Sequence, residues 1–138
     1  MERQKVSANF FEDEFLHPNE TDISKVDPKL IVIAQWIREQ IGKSVTINNY
    51  ATGGQYKESG LRDINTKTGA KKSAHKEGKA IDIKVKGMLA SDVFDWCIDR
   101  QTELYALGVR EIENKVYTKS WTHLSTRGNH LAIKIINP

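Results

Sequence analysis

The sequence contains a single cysteine, Cys97, so no internal disulfide can form, and the residue is expected to be buried packing on a helix. No segment approaches the roughly 18 apolar residues that a membrane-spanning helix needs. The first five residues are polar or charged apart from the initiating methionine, and no apolar run follows them. We therefore expect no signal peptide, synthesis in the cytoplasm, and another route for any later exit.

The sequence also lacks a large excess of charge of one sign, because it has 21 Lys and Arg residues and 18 Asp and Glu residues, for a net charge of +3. This mildly basic balance is compatible with an anionic polymer such as cell wall or nucleic acid, but it selects neither. A lysine-rich loop is usually a solvated face and no nucleic-acid motif occurs, so nucleic-acid binding is not expected. The lysines concerned are Lys67, Lys71, Lys72, Lys76, Lys79, Lys84 and Lys86.

What is present suits one ordinary domain, since the chain has 138 residues, of which 38% are hydrophobic. Residues 1–26 are predicted to form an irregular N-terminal arm, and residues 27–138 the main domain, with a monomer expected. The arm carries aromatic side chains that can tie it to the domain, at Phe10, Phe11 and Phe15.

The periodicity of apolar residues predicts two main helices. The first begins at Asp27-Pro28, ends at Gly42 and buries Leu30, Ile33, Ala34, Ile37 and Ile41. The second is predicted to be capped by Ser91 and closed by Gly108. Strands are predicted at 45–47, 80–86, 109–114, 121–126 and 131–136. Successive strands with short turns indicate an α+β fold in which the helices cover one face of an antiparallel sheet.

Two histidines and an aspartate form a candidate zinc-binding set. His75 lies in a loop, Asp82 follows it in a strand, and Gly78 between them permits the chain to turn back. His123, in a later strand, supplies a third ligand, which leaves a fourth zinc position open for water. The alternative is that the three residues are unrelated: a loop histidine, a solvent-facing aspartate and a half-buried histidine.

A wider motif surrounds this set and consists of Ser73, His75, Gly78, Ala80 and Asp82, followed by Trp121 and His123. It resembles the zinc D-alanyl-D-alanine carboxypeptidase and L-alanyl-D-glutamate endopeptidase family, which includes phage endolysins and shares its metal site with the hedgehog signalling domain. The segment Ser59-Gly60-Leu61-Arg62 is similar to an upstream segment of that family, with Leu in place of Tyr. The resemblance covers residues 45 to 127.

The resemblance implies that His75, Asp82 and His123 bind zinc at the sheet. It also implies that Arg62 contacts a carboxylate or carbonyl of the substrate, with Ser73 and Trp121 at the substrate site. Without the resemblance, Arg62 reads equally as a surface ion-pair arginine and Ser73 as a turn serine.

The family's usual general base is missing from its expected positions, which here hold Ser120, Tyr117 and Ser125. Glu111 and Glu113 of the preceding strand are the nearest carboxylates, and Glu113 is our candidate for the catalytic base. The alternative for both is a solvated strand edge. His130 and Tyr117 are weaker candidates, because a tyrosine is a poor base and His130 reads as a turn histidine.

Two functions remain open. The first is a zinc peptidase that cleaves bacterial cell-wall stem peptides, for which the missing signal peptide would suit an endolysin released by host lysis or a component of a phage particle. The second is a non-catalytic module in which zinc stabilises the fold or helps to bind a partner. The missing carboxylate favours this second function.

Overall fold

The computed structural model describes residues 2–69 and 73–138. It shows an α+β single domain, as predicted, with three α-helices and a five-stranded sheet. The helices are α1 (Pro28–Ile41), α2 (Ala90–Asp99) and α3 (Gln101–Leu107), and the strands are β1 (Val45–Thr46), β2 (Ala80–Val85), β3 (Glu111–Glu113), β4 (Thr122–Ser125) and β5 (Lys134–Ile136). Short 3-10 helices lie at Glu12–Glu14, Ile23–Lys25 and Tyr50–Thr52.

The strand order is β1-β2-β4-β3-β5. The pairs β1–β2, β2–β4 and β4–β3 are antiparallel, and β5 pairs with β3 in parallel. The sheet is therefore mixed but mostly antiparallel. The strands are shorter than predicted, and Leu131, which the prediction placed in the last strand, is 96% exposed and precedes β5.

The first helix begins and ends where its sequence signals indicate. The Asp27 side chain accepts a hydrogen bond from the Lys29 amide, and Pro28 occupies the first turn. Gly42 ends the helix in the left-handed conformation with φ of 69°. The apolar face of α1 buries Leu30, Ile33, Ala34 and Ile37.

The prediction of one long second helix capped by Ser91 was wrong. Leu89 precedes the first helical residue and makes no side-chain cap, so Ser91 lies inside α2. The helix is interrupted at Arg100, whose φ of −117° lies outside helical geometry. The Arg100 guanidinium donates to the Trp96 carbonyl and stacks on the Trp96 ring.

The predicted arm contributes directly to the hydrophobic core. Phe10 and Phe15 are 1% and 0% exposed and pack against each other, whereas Phe11 stays partly exposed beneath Arg3. The backbone around Phe15 also accepts a hydrogen bond from the Leu61 amide. These contacts place the arm against the segment that leads to the metal-binding motif.

Candidate metal centre

Three neighbouring strands bring a row of polar side chains onto one face of the sheet. Asp82 of β2 pairs directly with His123 of β4. On the other side of β4, Ile112 pairs with Leu124, so Glu113 of β3 lies beside His123. Because alternate residues of a strand face the same way, the sheet register alone aligns Asp82, His123 and Glu113.

The remaining member of the group, His75, comes from the turn before β2. The Ser73 hydroxyl accepts a hydrogen bond from the His75 amide, which fixes the start of that turn. Gly78 has φ of +70°, and a Cβ there would lie 2.0 Å from the Lys25 carbonyl oxygen. Only glycine fits this bend, as the sequence indicated, and the bend returns His75 to the sheet.

The three candidate ligand atoms converge closely. His75 Nε2 lies 3.1 Å from Asp82 Oδ1 and 3.2 Å from His123 Nδ1, and the last two atoms are 3.0 Å apart. Tetrahedral zinc, with ligand distances of about 2.0–2.1 Å, separates its ligand atoms by about 3.3 Å. The group could therefore hold a metal ion with small shifts of the side chains. The prediction that these distant residues meet is confirmed.

A hydrogen bond to the main chain orients the His75 ring. Nδ1 of His75 lies 2.9 Å from the Gly60 carbonyl oxygen, which can only accept, so Nδ1 carries the hydrogen. With Nδ1 engaged in this way, Nε2 is the ring nitrogen that faces Asp82 and His123. The Gly60 carbonyl thus orients His75 so that the nitrogen that could bind a metal points into the group.

All three candidate ligands are buried. His75, Asp82 and His123 are 2%, 6% and 8% exposed. Burial on its own would raise the pKa of the Asp82 carboxyl, but His75 and His123 outweigh it and hold that pKa well below its ordinary value. Asp82 is thus an anion in the folded protein, which suits a metal ligand.

Arg62 stands beside the same carboxylate. Its Nη2 lies 3.4 Å from Asp82 Oδ2, while Nε donates to the Glu58 carbonyl at 2.7 Å. The Arg62 amide also donates to the His75 carbonyl. Only 12% of the Arg62 side chain is exposed, so it is not a surface ion-pair residue. It holds the second oxygen of Asp82, leaving Oδ1 for the other two ligands.

Two adjoining clefts open at this centre. A cleft of about 520 Å³ is lined by the three candidate ligands together with Ser73, Glu113 and other residues, and we call it the metal half. A second cleft of about 490 Å³, the distal half, includes Tyr56, Ser120 and Lys84. Both are also lined by Arg62, Thr68, Asp82 and Trp121. Trp121 is 37% exposed.

Glu113 is the carboxylate nearest to the ligand group. Its Oε2 lies 3.7 Å from His123 Nδ1, and its side chain is 17% exposed within the metal half. Glu113 is not a member of the ligand group itself. Of the positions where the base was expected, Ser125 is fully buried, Tyr117 is 50% exposed and Ser120 borders only the distal half.

Gly60, Glu111 and Lys84 make contacts near the site that the sequence did not predict. A Cβ on Gly60 would lie 2.5 Å from the Phe15 carbonyl oxygen, so only glycine brings its own carbonyl to His75. Glu111 Oε2 contacts His130 Nε2 at 3.1 Å, and its buried Oε1 has no hydrogen-bond partner within residues 2–69 and 73–138. No local pattern reveals either contact, because both depend on segments distant in the sequence.

Assigning Lys84 to a solvated lysine face was wrong. Its ammonium donates to the Ile47 carbonyl at 2.7 Å and to Ser59 Oγ at 2.9 Å, and lies 3.9 Å from the centre of the Tyr56 ring. Burial lowers the pKa of Lys84 to about 8, with partial compensation from Asp82. The alternation of β2, which puts Lys84 on the Asp82 face, was the available signal. Lys71 and Lys72 of the same prediction lie outside the described residues.

Comparison with known proteins adds no relative, because no family model, curated protein or solved structure matches this chain. The likeness to the zinc carboxypeptidase and endopeptidase family therefore depends on the motif and on the buried His75, Asp82 and His123 group. Among the described residues, no helix has the length and apolar character required to cross a membrane.

Proposed function

We propose that this protein is a zinc-dependent peptidase that hydrolyses a peptide bond in the stem peptides of bacterial cell wall. The observation that carries the proposal is the buried ligand group with Glu113 beside it, at the edge of an open cleft. A buried structural metal site would need neither the cleft nor a neighbouring carboxylate outside the ligand set.

Zinc is the metal that the donor set favours. Two imidazole nitrogens and one carboxylate oxygen suit a borderline-soft ion without redox chemistry, and three protein ligands are typical of catalytic rather than structural zinc. When bound, zinc polarises a substrate carbonyl and lowers the pKa of a coordinated water from about 16 to near 7.

The side chains around the metal have separate tasks in this proposal. Glu113 takes a proton from the attacking water and passes it to the leaving nitrogen as the C–N bond breaks. The hydroxyl of that water joins the carbonyl carbon, so the products are a carboxylate and an amine. Arg62 orients a carbonyl or carboxylate of the substrate from its position beside Asp82. Trp121 and Ser73 line the cleft in which the peptide lies.

The choice of cell-wall peptides as substrate comes from the resemblance of the sequence motif. Under this proposal the protein acts as a monomer on peptidoglycan, and it reaches the wall when the host lyses or as part of a phage particle. The mildly basic charge is compatible with an anionic wall polymer.

A second candidate is a zinc-containing module without catalysis on the same scaffold. Ser120, Tyr117 and Ser125 at the expected base positions favour it. In that case the metal would stabilise the turn that carries His75, since binding energy at a folded site is also folding energy. This module would bind cell wall or a protein partner without cleaving either.

The deciding experiment incubates zinc-loaded protein with purified peptidoglycan and measures the release of new amino groups. We expect release that EDTA abolishes and added zinc restores, and no release from a His75→Ala variant. The His17→Ala variant is the matched control, because His17 lies outside the ligand group. Wall binding without any release from protein with a full zinc complement would contradict the peptidase and support the non-catalytic module.

A further inference from the structure

The N-terminal arm packs against two glycines that hold His75. The main chain of Phe15 lies against Gly60, and the carbonyl of Lys25 lies against Gly78. The Gly60 carbonyl oxygen lies 2.9 Å from Nδ1 of His75. The Gly78 amide donates to the His75 carbonyl at 3.2 Å. The arm therefore supports the segments that orient both the ring and the main chain of this candidate ligand.

Close approach, and not backbone conformation, requires glycine at position 60. The φ angle of Gly60 is not positive, so other residues could adopt its backbone conformation. A Cβ there would lie 2.5, 2.8 and 2.9 Å from the carbonyl oxygen, carbonyl carbon and Cα of Phe15. Phe15 is fully buried in the core and cannot retreat without disturbing that packing. A side chain at position 60 would therefore displace the Gly60 carbonyl from His75.

A second connection runs from the arm to Asp82 through Asn48, which is buried. The Nδ2 atom of Asn48 donates to the Leu16 carbonyl at 2.9 Å, and its Oδ1 accepts from the Ser59 amide at 2.8 Å. The Ser59 carbonyl in turn accepts from the Asp82 amide at 2.7 Å. Buried hydrogen bonds of this kind are costly to leave unmade, so they fix the position of the Asp82 main chain relative to the arm.

We propose that the N-terminal arm is a working part of the metal centre, in which Gly60 positions His75 and Asn48 positions Asp82, so that arm docking and metal binding stabilise each other. This inference rests on the zinc binding in the proposed function and does not depend on peptidase turnover. Groups that orient metal ligands typically change metal affinity by about 10–100-fold. Because coupling free energy is reciprocal, metal binding should also hold the arm in place.

Gly60→Ala tests the support of His75. We expect zinc affinity, measured by competition with a chromogenic chelator, to fall about 10–100-fold. By NMR, the hydrogen on Nδ1 of His75 should exchange with water faster than in the unaltered protein, because its carbonyl acceptor has moved. The matched control is Gly42→Ala, which adds a methyl group in open space at a φ of 69°. It strains the end of α1 but should change neither zinc affinity nor the exchange of that hydrogen.

Asn48→Ala is a second variant, because it removes the connection to Asp82 without adding bulk. Its zinc affinity should fall about tenfold. Amide hydrogen exchange of the unaltered protein, with and without zinc, needs no substitution at all. Zinc should slow exchange at the Leu61 and Ser59 amides, which bond to Phe15 and Asn48, about tenfold more than at the Gly42 amide.

The outcomes separate this inference from the function above. Equal zinc affinity of Gly60→Ala, Asn48→Ala and Gly42→Ala would overturn the role of the arm and leave zinc binding intact. Equal slowing by zinc at Leu61, Ser59 and Gly42 would overturn it as well, and this result decides the matter if the variants do not fold. Failure of the unaltered protein to bind zinc would overturn both proposals. The expected zinc effects without peptidoglycan hydrolysis would support the role of the arm and contradict the peptidase.

Discussion

The two faces of β2 are both buried but are built in different ways. Ile81 and Ile83 are 0% and 1% exposed and belong to the hydrophobic core. Asp82 and Lys84, which alternate with them, meet polar partners from distant segments. The apolar face needs only neighbours of suitable volume, whereas every polar atom of the other face needs a particular partner.

This difference separates stability from function within a single strand. Burial of apolar area is non-directional, so the Ile81 and Ile83 face stabilises the fold whatever the site does. The Asp82 face assembles buried polar and ionisable groups, which are stable there only with specific partners, and includes the group that could hold a metal ion. Substitutions on the first face should therefore change the free energy of unfolding, and substitutions at the candidate ligand Asp82 on the second should change metal binding or turnover.

The largest effect is expected from Asp82→Asn. It keeps the size of the side chain but removes the anionic ligand, so zinc content should fall from about one ion per chain to below about 0.1. Elemental analysis after dialysis measures the ratio. Asp63→Asn, outside the ligand group, is the matched control and should keep its zinc. Retention of stoichiometric zinc by Asp82→Asn would show that the polar face of β2 does not determine metal binding.

Glu113→Gln sharpens the comparison, because it separates metal binding from proton transfer. The amide cannot accept the proton, so peptidoglycan hydrolysis should fall about 10²–10⁴-fold while zinc content stays unchanged. Glu111→Gln, two residues earlier on the same face of β3, is the comparison variant and should lose much less. If Glu111→Gln loses more activity than Glu113→Gln, the base has been assigned to the wrong carboxylate.

On the apolar face, Ile81→Ala should lower the free energy of unfolding by about 2–5 kcal/mol, because it leaves a cavity in a closely packed core. Urea denaturation measures this change. Ile64→Ala, at a position that is 75% exposed, should stay within about 0.5 kcal/mol. The folded fraction of Ile81→Ala should still bind one zinc, and loss of zinc affinity there would show that the two faces are coupled.

The smallest effect is the pH dependence due to Lys84. Burial lowers its folded-state pKa to about 8, below the roughly 10.4 of an unfolded lysine. Between these values the unfolded chain binds more protons, so the free energy of unfolding rises with pH. From pH 7.5 to 9.5 metal-free protein should gain roughly 1–2 kcal/mol relative to Lys84→Met.

Lys86→Met provides the control for that measurement, because Lys86 is exposed in the turn after β2. Its stability should follow that of the unaltered protein over the same pH range. A Lys84→Met variant that gains as much stability as the unaltered protein would show that the buried ammonium carries no pH dependence.

Local sequence signals predicted most of the fold. The Asp27-Pro28 start, the Gly42 end and the alternation in β2 each depend on residues close in sequence, and the structure agrees with them. The break at Arg100 was not predicted, because the apolar spacing runs on across it from α2 into α3. The parallel pairing of β5 with β3 likewise depends on how the chain returns after β4.

The candidate site was also predicted only in part. The spacing and the resemblance correctly predicted that His75, Asp82 and His123 lie together. Residue types with metal chemistry are easy to recognise in a sequence. The contact of Gly60 with His75 and the burial of Lys84 depend on hydrogen bonds to main-chain atoms. Main-chain partners carry no signature in the sequence, although the alternation of β2 does place Lys84 on the same face as Asp82.

The most direct test of the central claim is anomalous diffraction at the zinc absorption edge, from crystals of the unaltered protein grown with zinc. The account predicts one strong peak about 2.0–2.2 Å from His75 Nε2, Asp82 Oδ1 and His123 Nδ1. Crystals in which this position shows no peak, or in which zinc binds only at other side chains, would contradict it.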